Sequence, residues 1–389
     1  MPYDFDQVIP RRGTGSAKWE HYPEDVLPMW VADMDFASPE PLVRALHERA
    51  AQATFGYSSP HRALAEAVAA RMERLYGWRV APEHVVPVPS LVSAINVTCR
   101  AIGEPGDGVL NLTPAYPPFL TAPGYQGRAA ETAPLALAVE GRALRYELDL
   151  DALAGALGGR TRLLLLSNPH NPVGVAYDPA ALRQIAELCL RNDTVICADE
   201  IHSELLLGDT RHTPMAGLAP EIAARTITLI SPSKTFNVPG LGCGIAIISD
   251  PELRRRFGQA GAGIVPNVNA MGLAAARAAF EECDGWLEAL RAYLTANRDF
   301  LLAYVARHMP ALRTTAPAAT YLAWVDCREA GIEGSPYKFF LEQARVALSD
   351  GTAFGPGGEG FVRINFGCPR ALLAEGLERM AAALARAAG

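Results

Sequence analysis

Two short apolar runs, Thr226-Ile-Thr-Leu-Ile230 and Gly244-Ile-Ala-Ile-Ile-Ser249, bracket the stretch Ser231-Pro-Ser-Lys-Thr-Phe-Asn-Val-Pro-Gly-Leu-Gly-Cys243. Runs this short and this apolar read as strands buried on both faces. The Ser/Pro/Gly-rich chain between them reads as a loop carrying one lysine, Lys234. An unpaired ammonium is costly to bury. Lys234 therefore sits at a mouth open to water, or it is chemically engaged as a Schiff base with a carbonyl cofactor.

The same type of run recurs. Val85-Val-Pro-Val88, Gly108-Val-Leu-Asn-Leu112, Arg162-Leu-Leu-Leu-Leu-Ser167 and Thr194-Val-Ile-Cys-Ala198 alternate with helical patterns near 90–102, 151–157 and 179–191. This alternation predicts an α/β, three-layer fold with a mostly parallel central sheet covered by helices on both faces. Ligands of such sheets bind beyond the carboxyl ends of the strands. Upstream, Ser38-Pro39-Glu40 has the form of a helix start, with Ser38 as N-cap of a helix over about 39–53. A second helix is expected over 61–76. Beyond about 267 the pattern turns helical, with a long segment at 284–308. Strand candidates follow at 321–325 and 360–365, and a helix from Pro369 to about Ala388 ends the chain. The expected division is a large domain over 54–284 and a smaller α+β domain from 1–53 plus 285–389.

Half of the 389 residues are hydrophobic, enough for a large core, and none of the apolar runs approaches the length of about 20 that spans a membrane. The net charge of −7 argues against nucleic acid or an anionic membrane as main partner. The N-terminus, Met1-Pro-Tyr-Asp-Phe-Asp6, lacks the basic and apolar regions of a signal peptide. Seven scattered cysteines without a CxxC suggest neither a disulfide framework nor a zinc site, and a reducing cytoplasm is expected.

Three strands end in polar groups. The run at 162–167 ends in Ser167-Asn-Pro-His-Asn-Pro-Val-Gly174, that at 194–198 in Asp199-Glu-Ile-His202, and that at 226–230 in Ser231-Pro-Ser-Lys234. Taken singly, Asp199 caps the next segment, His202 is a satisfied core histidine, Asn171 makes an Asx-turn and Tyr116 is a turn aromatic between prolines. In a parallel sheet, however, all three ends reach the same edge. Pyridoxal 5′-phosphate (PLP) accounts for them together. Lys234 holds its aldehyde, Asp199 keeps its pyridine nitrogen protonated, Asn171 donates to the phenolic oxygen and His202 orients Asp199 or that oxygen. Tyr116 stacks on the ring. The helix opened by Ser90, Leu91 and Val92 offers free N–H groups to the phosphate, and Ser231 and Ser233 add hydroxyls.

The sequence resembles the fold-type I PLP-dependent enzymes of the class I/II aminotransferase superfamily. It is most similar to the bacterial cystathionine β-lyase and cysteine-S-conjugate C–S lyase branch. The resemblance runs nearly end to end, through Arg11-Arg-Gly-Thr14, Met29-Trp-Val-Ala-Asp-Met-Asp-Phe36, Phe55-Gly-Tyr57, the motifs at 167–174, 199–203 and 231–237, and Val362-Arg-Ile-Asn-Phe-Gly-Cys-Pro369. It implies that Arg363 grips the substrate α-carboxylate. It also implies that Ala32 and Asp33 border the substrate together with Tyr57, Tyr116 and Asn171, and that Tyr57 reaches the cofactor phosphate of a neighbouring protomer in a homodimer. The implied reaction is α,β-elimination of cystathionine or another L-cysteine S-conjugate to a thiol, pyruvate and ammonia. Transamination, or decarboxylation or oxidative deamination of an S-conjugate, runs on the same fold. A purely regulatory role is disfavoured by the presence of both Lys234 and Asp199. There are two departures. Gly242 stands where many aminotransferases carry a phosphate-binding arginine, which the lyase branch also usually lacks. Ser90-Leu-Val-Ser93 differs from the expected phosphate helix start.

Overall fold

The computed structural model describes residues 3–58 and 62–388. Its centre is a seven-stranded sheet in the spatial order Val85–Val88, Gly244–Ile247, Thr226–Ile230, Val195–Asp199, Thr161–Ser167, Gly108–Thr113, Ala129–Pro134. Gly244–Ile247 runs antiparallel to both neighbours, and the other pairings are parallel. Among the inner strands, Val195–Asp199, Thr226–Ile230 and Gly244–Ile247 are buried along their whole length, as their largely apolar composition requires. Register sets the site. Ser167 pairs with Asp199 and Asp199 with Leu229, so the polar ends of three strands are level at one edge.

A second sheet has the order Ser349–Asp350, Phe361–Asn365, Leu322–Asp326, Arg313–Thr315, Ala143–Glu147, Ala136–Glu140. Its last two strands form a hairpin from the middle of the chain. The sequence pattern predicts no strand between 113 and 162, yet three form there. Ala136–Glu140 is exposed throughout and Ala129–Pro134 mostly so, and both are rich in alanine, which favours strands little, so neither carries the β-branched and aromatic signal on which a strand assignment relies.

Three local expectations change. The helix expected over 39–53 is Glu40–Ala51 with Pro39 at its N-cap, because the Ser38 hydroxyl donates instead to the Asn237 carbonyl at 3.2 Å. The prolines after Tyr116 open a helix, Pro117–Tyr125, since proline at the first helical positions forfeits only N–H groups that lack partners anyway. The apparent loop at 231–243 contains a helical turn, Pro232–Thr235, that carries Lys234.

The long helix is Asp284–His308, and it buries Trp286, Leu287, Leu290, Leu294, Leu301 and Val305 along one stripe. The N-terminal arm joins the C-terminal part of the chain in a separate two-stranded parallel sheet. Leu27–Pro28 pairs with Val346–Ala347, and the buried Asp35 carboxylate accepts from Lys18 at 2.6 Å, Trp19 at 2.8 Å and Arg11 at 2.9 Å. All seven cysteines are buried and unpaired. Among the described residues, no helix is long and apolar enough to cross a membrane.

Candidate active site

A cavity of about 260 Å³ opens at the level strand ends. Ser167, Asn171, Asp199, His202, Ser233 and Lys234 wall it from the central sheet. Val31 and Ala32 of the arm, Tyr116, the helix start at Ser90–Val92, and Arg363 of the second sheet close it from the other sides.

Lys234 sits in the third position of its short helix. Its Nζ donates to the Ala32 carbonyl at 2.6 Å, and the Tyr321 hydroxyl donates to the same oxygen at 3.1 Å. Burial, and next the charge of Arg363, push the ammonium down to about 8, while Asp33 and Asp199 act in the opposite sense. Asp199 is buried, and burial pushes its carboxyl up to about 7. Among the described residues its side chain accepts one hydrogen bond, from the Ile201 N–H at 3.1 Å. His202 is buried and pushed down to about 3, so it is neutral, and its Nδ1 has no hydrogen-bond partner among the described residues.

Arg363 lies 6% exposed on the strand Phe361–Asn365. It donates to Asn171 Oδ1 at 2.9 Å, the Trp30 carbonyl at 3.1 Å and Ser349 Oγ at 3.1 Å. All three acceptors are neutral. Among the described residues no carboxylate pairs with this guanidinium, and burial lowers it to about 10. A buried cation without a resident anion is a receptor for one.

The helix Leu91–Ala101 begins at the cavity wall. Ser90 caps it by accepting from the Ser93 N–H at 3.1 Å, and the backbone N–H groups of Leu91 and Val92 remain without an intrahelical acceptor. Such a start attracts an anion. Gly242 also lines the cavity with φ +58°, a left-handed conformation that favours glycine over arginine at this position.

Three expected residues lie elsewhere. The Ser231 hydroxyl accepts from the Ser233 N–H at 3.1 Å and donates to the Cys243 carbonyl at 2.7 Å, so it caps the lysine's helix and does not wall the cavity. The Asp33 carboxylate pairs with Arg11 at 2.9 Å and does not wall the cavity either, so the arm's contribution there is Val31 and Ala32. Tyr57 stands fully exposed on the stretch before residue 59, away from this chain's own cavity.

Asn237, three residues beyond Lys234, fastens the arm, a role that its place in the lysine motif does not signal. Its Oδ1 accepts from Met34 N–H at 3.1 Å, and its Nδ2 donates to the carbonyls of Met34 at 3.0 Å and Phe36 at 2.8 Å. Ser349 and Tyr321, which hold Arg363 and Ala32, carry no local signal. Their contacts arise only once strands distant in sequence are paired.

A lysine at the carboxyl edge of a mostly parallel sheet, facing a buried carboxylate and an arginine without a resident anion, defines an α/β enzyme with an amino-acid-sized, lysine-centred site. The chain belongs to the class I and II aminotransferase family, whose model matches residues 24–380. It is 37% identical to the cystathionine beta-lyase PatB of Bacillus subtilis, over 98% of this chain and all of that one. The solved structure of OvoB is 42% identical with a TM-score of 0.93, covering 98% of this chain and 99% of that one. The PLP-bound C–S lyase of Staphylococcus hominis is 31% identical with a TM-score of 0.91, covering 98% of each chain.

Proposed function

We propose that this protein is a PLP-dependent C–S lyase that converts cystathionine or another L-cysteine S-conjugate to a thiol, pyruvate and ammonia. The observation that carries this reading is the joint placement, around one cavity, of Lys234, the nearly unpartnered Asp199 and the anion-free Arg363. Full-length relatives named as cystathionine beta-lyase and C–S lyase support the reaction type.

The residues fit the cofactor. A buried carboxylate with one N–H donor is incomplete until a cationic partner arrives, and a pyridinium N–H is such a partner. The unpartnered His202 Nδ1 and the free N–H groups at Leu91 and Val92 are likewise groups awaiting a ligand. We assign Ser90, Leu91, Val92 and Ser233 to the phosphate, Tyr116 to the ring face, and Asp199, Asn171 and His202 to the ring's edge. When bound, PLP supplies an aldehyde for Lys234 and a ring that draws electrons away from the substrate Cα.

The chain's own residues do the rest. Arg363 holds the α-carboxylate through paired N–H bonds. Lys234, as a free amine, would remove the Cα proton; an amine pushed down to about 8 has free base available near neutral pH. The Ala32 carbonyl, 2.6 Å from Nζ, accepts from the amine and holds it at the cavity wall. A thiolate leaves Cβ with little acid assistance, which suits a site whose histidine is neutral. We further assign cofactor binding to 54–284 and closure over the substrate to 1–53 plus 285–389, and place the protein in a reducing cytoplasm, in keeping with seven unpaired cysteines. In a homodimer, the exposed Tyr57 contributes to the partner's phosphate site. Incubation of the purified holoenzyme with cystathionine and S-methyl-L-cysteine tests the reading. Release of thiol and pyruvate is expected, and absence of both with every S-conjugate tried overturns it.

A further inference from the structure

The segment Gly351-Thr-Ala-Phe-Gly-Pro-Gly-Gly-Glu-Gly360 takes no part in the chemistry above. Its shape depends on glycine where its two ends touch. A Cβ on Gly351 would collide with the Gly358 carbonyl, and one on Gly358 with the Gly351 carbonyl. The folded segment presents Phe354 to the site's arginine, with the Arg363 guanidinium 4.9 Å from the ring centroid. The ring is held from behind. It meets Trp324 edge-on at 5.2 Å, Trp324 lies flat on Phe361 at 5.1 Å, and the indole N–H donates to the Tyr146 hydroxyl at 3.1 Å. The Phe354 carbonyl accepts from the Ala115 N–H at 2.8 Å, beside Tyr116.

A buried arginine that must receive a substrate carboxylate poses a conflict. A resident Asp or Glu would hold the cation but occupy its N–H edge. An aromatic face attracts the cation without using any N–H bond. Three of the guanidinium's N–H bonds go to the neutral acceptors Asn171, Trp30 and Ser349, and its Nε has no partner among the described residues. We propose that Phe354 is a positioning residue for the substrate carboxylate, holding Arg363 in place by its ring face while leaving donors free. The inference rests on the reading that Arg363 takes the α-carboxylate.

The test uses holoenzyme carrying Phe354→Leu or Phe354→Met; the second refills the space with a flexible side chain should the first fail to fold. Propionate, which has the carboxylate and no amine, is titrated calorimetrically, and KM and kcat are measured with S-methyl-L-cysteine. The expected result is propionate affinity and KM each worsened about tenfold, kcat within about threefold of wild type, and an unchanged visible absorbance of the bound cofactor. Unchanged propionate affinity in a folded variant overturns the proposal, as does a fall in kcat with constant KM. Arg363→Gln separates the two readings. If it leaves propionate binding intact, the assignment of Arg363 itself fails. If it abolishes binding while the Phe354 variants do not weaken it, only the role of Phe354 fails.

Discussion

The guanidinium of Arg363 donates to Oδ1 of Asn171 at 2.9 Å, joining the second sheet to the turn after Ser167. An arginine has only donors, so the amide oxygen faces it and the amide NH2 is turned away. One hydrogen bond thus orients two side chains of the cavity. Asn171→Asp keeps the shape but gives Arg363 a permanent anion. The substrate carboxylate must then displace it, and KM is expected to rise at least about tenfold. Steady-state kinetics, with propionate affinity as a second readout, checks this.

Asp199 makes the cofactor-free protein sensitive to pH. Its carboxyl stands at about 7 in the fold against 3.8 ordinarily, and burial is the main cause. Between about 4 and 7 the folded protein retains a proton that the unfolded chain releases, so stability is lost as pH rises through that window. Asn at this position has no such term. Cofactor-free Asp199→Asn is expected to gain on wild type between pH 5 and pH 8 by an amount on the order of 2 kcal/mol, read by thermal or urea unfolding. If Asp199 is the anion assigned to the cofactor's ring nitrogen, the order is expected to reverse with cofactor bound.

The arm that supplies Ala32 depends on the buried pair of Lys18 and Asp35, 2.6 Å apart. Asp35→Ala leaves Lys18, 1% exposed, without its counter-charge. A loss of about 3–5 kcal/mol in denaturant unfolding is expected. KM should also rise, since the carbonyls of Trp30 and Ala32 are held by the same arm.

Tyr57 tests the shared site. If its hydroxyl serves the partner's cavity, Tyr57→Ala and Lys234→Ala are each defective as homodimers. A mixture refolded together regains activity, because one of the two sites in each hybrid is intact. About a quarter of wild-type activity is the statistical expectation for equal mixing. Activity no greater than the sum of the separate variants would place Tyr57 outside any shared site.

Much of the site is legible in the sequence because strand ends announce themselves. Asn171, Asp199 and Lys234 each follow an apolar run too buried to tolerate them, and parallel pairing brings such ends to one edge. Arg363 is legible only through its resemblance to a family, since a strand arginine has no signature of its own. Ser231 shows where local reading divides. Ser before Pro is equally a helix cap, and here the cap position takes the hydroxyl. What escapes the sequence is long-range. The Ala32 carbonyl that receives Lys234 lies 202 residues away, and Phe354 meets Arg363 only because a glycine-locked loop folds back on itself. The exposed, alanine-rich strands at 129–134 and 136–140 also escape, because their order comes from sheet pairing.

In the proposed reaction, Lys234 drives cleavage of a carbon–sulfur bond. The most direct measurement is the product balance of the purified holoenzyme on cystathionine and S-methyl-L-cysteine, with thiol, pyruvate and transferred amino groups determined separately. Thiol and pyruvate are predicted in equal amounts, with turnover lowered at least about a thousandfold in Lys234→Ala together with loss of the visible absorbance of the lysine-bound cofactor. Amino transfer to a 2-oxo acid without release of thiol, or lyase activity that survives in Lys234→Ala, would contradict it.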